Sequence, residues 1–376
     1  MSDNLFIPVC EPALFGNELK YVTDAVQTGW ISSAGKYVTE FEQQFAAYCG
    51  CKYGVAVCNG TVALHLALVA LGIGPEDEVI IPNFTMIATA FAVCYNGATP
   101  VFVDADPNTW NIDVTKIEEK TTSRTKAIIP VHLFGLMCDM DAINAIAQKH
   151  GLKVLEDAAE AHGAEYRGRR AGSCSDLAAF SFFANKNITT GEGGMVVTNN
   201  EELYNKLRYH KNMCFPLDGP RNYLHNDIGF NYRMSNVVAA IGLAQVERAN
   251  DYRQMRINNN KLYRELLTDV PGIQFQKHSD DYLNVAWMNA ILVDEQEYGH
   301  TKEELREYLR NNNIDTRLLF EGMHRQPSLK EYGCDCDGLY PITEKLTTQG
   351  FYLPSASSLQ EKDIEYICQL IKSFAK

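Results

Sequence analysis

Strand-like and helix-like segments alternate over the first two-thirds of the chain. Short apolar runs predict strands over residues 52–57, 78–81, 100–103, 125–131, 152–156, 177–183 and 194–198. Helical patterns predict helices over residues 61–71, 84–95 and 139–150. Strands separated by helices of this length indicate βαβ units, and therefore an α/β fold with a mostly parallel sheet.

The pattern changes after about residue 246. One long charged helical stretch is predicted over residues 246–267, followed by a strand over 286–293 and helices over 301–311 and 361–375. A length of 376 residues allows two to three domains of roughly 150 residues each. We therefore predict a large α/β domain over residues 1–246 and a smaller α+β domain over residues 247–376.

The composition is that of a globular protein and excludes several classes of protein. Lys and Arg number 34 against 47 Asp and Glu, and the resulting net charge of −13 argues against a dedicated nucleic-acid-binding protein, which would show a basic face. The best apolar run, residues 62–71, is shorter than the ~20 residues of a membrane span. No secretory signal is visible, so we expect a cytoplasmic protein without membrane or nucleic-acid partners.

The 11 cysteines do not follow the spacing of a zinc site or a disulfide framework. Two C-x-C pairs occur, at Cys49 and Cys51 and at Cys334 and Cys336, but no C-x-x-C is present. We predict reduced, mostly buried thiols and no metal.

A lysine between an apolar strand and a glycine-rich loop is the strongest local signal for chemistry. Residues 181–194 read SFFANKNITTGEGG, with Lys186 at the centre. A partly buried lysine has a lowered pKa, so its neutral amine can attack a carbonyl and form a Schiff base. From the spacing alone, Lys186 could equally be a surface lysine on a turn.

Two further segments supply groups that suit a phosphorylated pyridine cofactor. Asp157 ends a predicted strand, and an acid at that edge of an α/β sheet can pair with a pyridinium N–H. Gly60 and Thr61 begin a predicted helix, whose N-terminal amides can bind a phosphate. Taken singly, Asp157 and Thr61 could each be only a helix cap.

Together these segments resemble the DegT/StrS family of pyridoxal phosphate (PLP)-dependent sugar aminotransferases. Residues 30–36 (WISSAGK), 130–135 (PVHLFG) and 229–235 (GFNYRMS) share the resemblance, which runs from about Ile7 to the C-terminus. Within the family the chain looks most like the GDP-perosamine synthases. The resemblance implies fold type I, the architecture of aspartate aminotransferase, with PLP as cofactor.

The resemblance assigns cofactor roles to single residues. Lys186 matches the lysine that carries the cofactor and moves the proton, and Asp157 matches the partner of the pyridine nitrogen. Ser181, with Gly60 and Thr61, matches the phosphate-binding set.

Three more positions follow from the same resemblance. Glu160 stands near the phenolic oxygen of the cofactor. Asn231 matches an asparagine that reaches the PLP of the neighbouring subunit, which implies a homodimer with shared active sites. Met86 stands where relatives usually place a stacking aromatic residue, and its sulfur and methylenes can cover a ring face.

Candidates for substrate contacts are less specific. His132 and His162 could bind substrate or could simply be packed side chains. Arg317 and His324 fall in a segment that resembles the late Arg…His segment of the family near the sugar nucleotide. Trp30 could flank a nucleotide base or belong to the core.

The expected activity is transfer of an amino group from L-glutamate to a nucleotide-linked 4-keto-6-deoxy sugar. The favoured acceptor is GDP-4-keto-6-deoxymannose, giving GDP-perosamine for surface polysaccharide. A UDP- or dTDP-linked ketosugar or a small phosphorylated ketone stays open as the acceptor. A PLP-dependent sugar dehydratase and a PLP-fold sensor without enzymatic activity also stay open as functions.

Overall fold

The computed structural model describes residues 6–220 and 223–376, which contain fourteen strands and thirteen α-helices. The strands are β1 (Tyr53–Val57), β2 (Glu78–Pro82), β3 (Thr99–Val103), β4 (Thr125–Ile128), β5 (Lys153–Asp157), β6 (Glu165–Tyr166), β7 (Arg169–Arg170), β8 (Leu177–Ser181), β9 (Gly194–Thr198), β10 (Ile273–Phe275), β11 (Tyr282–Leu283), β12 (Asn289–Val293), β13 (Arg317–Leu318) and β14 (Gly350–Leu353). The helices are α1 (Glu18–Gln27), α2 (Lys36–Cys49), α3 (Gly60–Leu71), α4 (Ala88–Tyr95), α5 (Met140–His150), α6 (Glu201–Lys211), α7 (Asn236–Glu247), α8 (Ala249–Leu267), α9 (Glu295–Tyr298), α10 (Lys302–Asn311), α11 (Pro327–Tyr332), α12 (Pro341–Gln349) and α13 (Glu361–Phe374). Among these described residues, no helix combines the length and apolar character needed to cross a membrane.

The central sheet has seven strands in the described chain, in the order β1-β9-β8-β5-β4-β2-β3. The pairs β2–β3, β2–β4, β4–β5 and β5–β8 are parallel, whereas β8–β9 and β1–β9 are antiparallel. The prediction of an α/β fold with a mostly parallel sheet is therefore confirmed.

Successive side chains of a strand point to opposite faces of the sheet, and in this sheet both faces are buried against helices. Val55 and Val57 pack into the core formed with α3, α4 and α6, whereas Ala56 packs into the core formed with α2, α5 and α7. The result is a three-layer arrangement of helices, sheet and helices. Parallel strands covered on both sides leave the carboxyl edge of the sheet as the place where a ligand can bind.

A second sheet, β10-β12-β14-β13, is antiparallel and packs with α8, α10 and α13 around a separate core. The N-terminal segment joins this core, since Ile7 packs there and forms a parallel bridge with Ile314. The division into domains at residues 246 and 247 stays a prediction.

Two helix predictions were wrong in detail. The helix predicted over residues 84–95 begins only at Ala88, because Phe84 instead forms an antiparallel bridge with Gly322. The stretch predicted as one helix over residues 246–267 is interrupted between α7 and α8 at Arg248, whose backbone leaves the helical region and whose guanidinium donates to the Phe15 carbonyl.

Candidate active site

A cavity of about 620 Å³ lies where the carboxyl ends of β5 and β8 meet the first turn of α3. Aromatic side chains from the second half of the chain, including Trp287, Phe320 and Tyr352, complete its wall. The seven predicted cofactor residues that line this cavity are Gly60, Thr61, Met86, Asp157, Glu160, Ser181 and Lys186.

The first turn of α3 is built to hold an anion. The side chain of Asn59 caps the helix by accepting from the Val62 amide at 3.0 Å. Among the described residues, the amides of Gly60 and Thr61 have no hydrogen-bond partner, and these residues line the cavity. Such free amides and the helix dipole together favour a phosphate.

Gly60 is required by a close approach of helix and strand. A Cβ atom at this position would lie 2.6 Å from the Cβ of Ser181, well inside ordinary contact. The absence of a side chain lets the helix start sit directly beside the Ser181 hydroxyl, so that amides and hydroxyl converge on one small volume.

Asp157 is buried at the end of β5, and its carboxylate is oriented by two donors. The Thr89 hydroxyl donates to Oδ2 at 2.7 Å, and the Ala159 amide donates to Oδ1 at 3.2 Å. Burial raises the pKa of Asp157, while the bond from Thr89 opposes that shift. A cationic N–H placed in the cavity would offset the cost of burial and favour the ionised carboxylate.

Lys186 enters the cavity with only 10% of its side chain exposed. Its Nζ lies 3.7 Å from the centre of the Trp287 ring and 3.9 Å from Oε1 of Glu160. Burial lowers the pKa of Lys186, with Glu160 and Asp157 acting in the opposite direction. A lysine with a lowered pKa supplies more neutral amine near pH 7, which is the form that attacks a carbonyl.

Glu160 shares the base of the cavity with Lys186. Its Oε2 accepts from the Phe134 amide at 2.8 Å, which holds the carboxyl group in place. Burial raises the pKa of Glu160 to about 7, although the nearby lysine opposes the shift. The protonation of Glu160 and the charge of Lys186 are therefore linked.

His132 and His162 lie behind the cavity rather than in its wall. The ring of His132 is fully buried, accepts from the Cys138 amide at Nδ1, and bonds Glu156 through Nε2 at 2.8 Å. His162 packs against Phe45 and Phe180, and burial lowers its pKa to about 3. Direct substrate contact by either histidine has no support in this geometry.

Neither His324 nor Arg317 lines the main cavity. Both ring nitrogens of His324 are engaged: Nδ1 by the Asn83 amide at 2.8 Å and Nε2 by Glu344 at 2.8 Å. Arg317 is exposed, pairs with Asp315 at 2.9 Å, and lines a smaller cavity of about 280 Å³. That smaller cavity shares Phe183, Asn185 and Tyr352 with the main cavity.

Trp30 and Asn231 do not reach the main cavity within one chain. Trp30 is 59% exposed and lines a separate surface pocket with Asn236. Asn231 is exposed beside a mostly exposed segment that includes Tyr223 and Ile228. Their predicted roles in substrate binding and in the partner's site stay predictions.

Sequence reasoning missed the residues that reach the cavity by tertiary packing. Thr89 lies in the first turn of α4 and touches Asp157, and Trp287 touches Lys186 from about a hundred residues away. Neither lies in a motif with recognisable chemistry. A polar residue among the apolar residues of α4 was the one local signal that could have marked Thr89.

The residues present fit a phosphorylated pyridine aldehyde. The free amides at Gly60 and Thr61 suit its phosphate, the oriented Asp157 carboxylate suits its ring nitrogen, and the Lys186 amine suits its aldehyde. Within residues 6–220 and 223–376, no cluster of three or more metal-ligating side chains is present.

Comparison with known proteins agrees with this chemistry. The model of the DegT/DnrJ/EryC1/StrS aminotransferase family matches residues 13–372. A GDP-perosamine synthase of Escherichia coli O157:H7 is 44% identical, over 98% of each chain. DesI, solved in the presence of its TDP-sugar product, superposes with a TM-score of 0.90 at 32% identity, over 99% of this chain and 93% of that one.

A third relative links the fold to the cofactor. Spr1654 from Streptococcus pneumoniae, solved in its PLP form, superposes with a TM-score of 0.91 at 26% identity, over 98% of each chain. The seven-stranded, mostly parallel sheet and these neighbours together identify fold type I. The chain therefore belongs to the DegT/DnrJ/EryC1/StrS aminotransferase family and is a PLP-dependent aminotransferase.

Proposed function

We propose that the protein transfers the amino group of L-glutamate to GDP-4-keto-6-deoxymannose and so forms GDP-perosamine for surface polysaccharide. The observation that carries this proposal is that Lys186, Asp157 and the first turn of α3 line the same cavity. The choice of sugar is supported by the 44% identity, over 98% of each chain, to a GDP-perosamine synthase.

Each residue has a distinct task in this proposal. Bound PLP supplies an aldehyde that condenses with amines and a ring that accepts electrons. The amides of Gly60 and Thr61, with the Ser181 hydroxyl, hold the phosphate and fix the orientation of the ring. Asp157 holds a proton on the ring nitrogen, which makes the ring a better electron acceptor.

In the proposed reaction, Lys186 carries the protons. In the first half-reaction its neutral amine would take the proton from the α-carbon of glutamate and pass it to the cofactor carbon that had carried the aldehyde oxygen. In the second it would take a proton from that carbon and give it to the sugar carbon. Burial lowers the pKa of Lys186, which eases the loss of its proton and so favours this relay. Glu160, 3.9 Å away, accepts or supplies a proton when Lys186 changes charge.

The outer part of the site suits a deoxysugar attached to a diphosphate. Phe320, Tyr352 and Met86 give the main cavity an apolar wall against which a sugar methyl group can pack. We propose that the diphosphate extends toward Arg317 in the adjoining smaller cavity. A guanidinium can hold phosphate oxygens in a bidentate manner.

We further propose a cytoplasmic homodimer in which Asn231 completes the partner's site. The exposed Tyr223 and Ile228, 82% and 88% exposed, offer apolar surface near Asn231 for a second copy. Light scattering measures the oligomeric state, and a monomer at working concentration would exclude a shared site. All 11 cysteines are unpaired, which supports the cytoplasm as the compartment.

The test is mass spectrometry of the products formed from PLP-loaded protein, L-glutamate and a panel of ketosugar nucleotides. We expect an amino sugar and an equal amount of 2-oxoglutarate, formed fastest with the GDP-linked sugar. Preference for a TDP- or UDP-linked sugar would favour the activity of a DesI-like relative. Loss of water without nitrogen transfer would indicate a dehydratase, and no turnover of any substrate would favour a sensor.

A further inference from the structure

The indole of Trp287 forms part of the immediate surroundings of Lys186. The Nζ atom lies 3.7 Å from the ring centre, close enough for a strong cation–π contact. Trp287 is only 3% exposed, and its Nε1 donates to the Asn185 carbonyl at 2.9 Å. The ring is thus attached to the residue directly before the lysine that it contacts.

The same tryptophan is tied to Glu160 through one intervening residue. The Trp287 amide donates to the Phe134 carbonyl at 2.9 Å, and the Phe134 amide donates to Oε2 of Glu160 at 2.8 Å. Phe134 has a φ of 56°, a left-handed conformation that is strained for a residue other than glycine. The strained residue is therefore the one that links the Trp287 ring to the Glu160 carboxylate beside Lys186.

We propose that Trp287 is a positioning residue that holds the free amine of Lys186 over its indole face, beside Glu160, and stabilises the ammonium form. The proposal rests on the proposed function, in which Lys186 carries the proton. In this proposal the indole face does more than pack. An ammonium group held between an aromatic ring and a carboxylate has a restricted orientation before it gives up its proton.

Several groups act on the charge of Lys186. Glu160 and Asp157 favour the ammonium form, and Cys10 acts in the same direction. His162 is buried nearby, and its pKa is lowered to about 3, so it carries no charge at neutral pH. The buried Arg256 guanidinium donates to the carbonyls of Trp287 and Asn185 and also to the sulfur of Cys10.

The test measures the titration of Lys186 in the full chain freed of PLP. The rate at which a neutral acylating reagent labels the Lys186 peptide is followed by mass spectrometry from about pH 6 to pH 11. In Trp287→Leu the aromatic face is lost, so we expect the pKa of Lys186 to fall by about 0.5 to 1.5. In Trp287→Phe we expect a smaller fall, because a weaker aromatic face remains.

The direction of the change separates this proposal from a packing effect. A smaller side chain that only admits water would relieve the burial of Lys186 and raise its pKa toward the ordinary value. Trp110→Leu is the matched control, since Trp110 packs edge-on against Phe134 and should leave the titration unchanged. An unchanged or raised pKa in Trp287→Leu overturns the proposal, and Trp287→Phe decides the matter if the leucine variant does not fold.

Failure of the proposed function would look different. If the wild-type protein transferred no nitrogen to any ketosugar, the proposed function would be wrong, but the titration of Lys186 would still report the contact with Trp287. If the wild-type protein is active and the titration does not respond to the loss of the indole, only the role of Trp287 is wrong.

Discussion

Gly60→Ala tests the anion site at the start of α3 by adding a single methyl group. The new Cβ would lie 2.6 Å from Ser181 Cβ, whereas ordinary contact begins at 3.4 Å, so helix and strand must separate by about 0.8 Å. The φ of Gly60 is not in the left-handed region, so the backbone itself accepts alanine. The perturbation is therefore purely one of space.

The expected magnitude follows from this displacement. Overpacking costs about 1 to 3 kcal/mol, and the better helix propensity of alanine returns up to about 1 kcal/mol, so the cofactor-free protein loses about 0 to 3 kcal/mol. Loss of one hydrogen bond to a charged phosphate costs about 1.5 to 3 kcal/mol of binding. We expect the Kd for PLP to rise about 10- to 150-fold.

The assay is a titration of cofactor-free protein with PLP, followed by absorbance, combined with urea unfolding with and without PLP. The control is Gly74→Ala, because no atom lies within 4 Å of a Cβ at position 74 and its φ also lies outside the left-handed region. Equal PLP affinity in Gly60→Ala and the wild type would refute the assignment of this helix start as the phosphate site.

Three further predictions concern the groups inside the cavity. Borohydride reduction of the PLP-loaded protein should add the phosphopyridoxyl mass to the Lys186 peptide, and a label on another lysine would contradict the assignment. Asp157→Asn keeps the shape but removes the charge, so we expect kcat to fall on the order of 100-fold; near-normal turnover would count against Asp157. Relative to the wild type, Glu160→Gln should be more stable at pH 8 than at pH 5 in the cofactor-free protein. Burial raises the pKa of Glu160 to about 7, so between about pH 4.5 and 7 the native carboxyl group binds more protons than the unfolded one, and wild-type stability falls as the pH rises. An equal stability difference between variant and wild type in urea unfolding at pH 5 and pH 8 would contradict this prediction.

The order of strands and helices could be predicted because it depends on local patterns. Apolar runs such as β2 and β5 are short, buried on both faces and separated by helices, and each property is visible along the chain. The start of α4 could not be predicted in this way. Phe84 leaves the helical pattern because its backbone pairs with Gly322, and that residue is more than two hundred positions away.

The same distinction applies to the site. Lys186 and Asp157 lie in contiguous motifs whose residue types suggest their chemistry, so they could be proposed from sequence. Thr89 and Trp287 act through contacts that only the folded chain creates. For His132 the sequence left a substrate contact and a packed ring both open, and the ring is fully buried against Glu156.

The bridge between Ile7 and Ile314 has a consequence for how the chain folds during synthesis. The Ile7 amide donates to the Asn313 carbonyl at 2.9 Å, and the Asp315 amide donates to the Ile7 carbonyl at 2.9 Å. At about 5 to 20 residues per second, the ribosome needs roughly 15 to 60 seconds to make the intervening chain. Ile7 therefore leaves the ribosome well before the segment around Ile314 is made, and this apolar residue stays without its native partner during that interval.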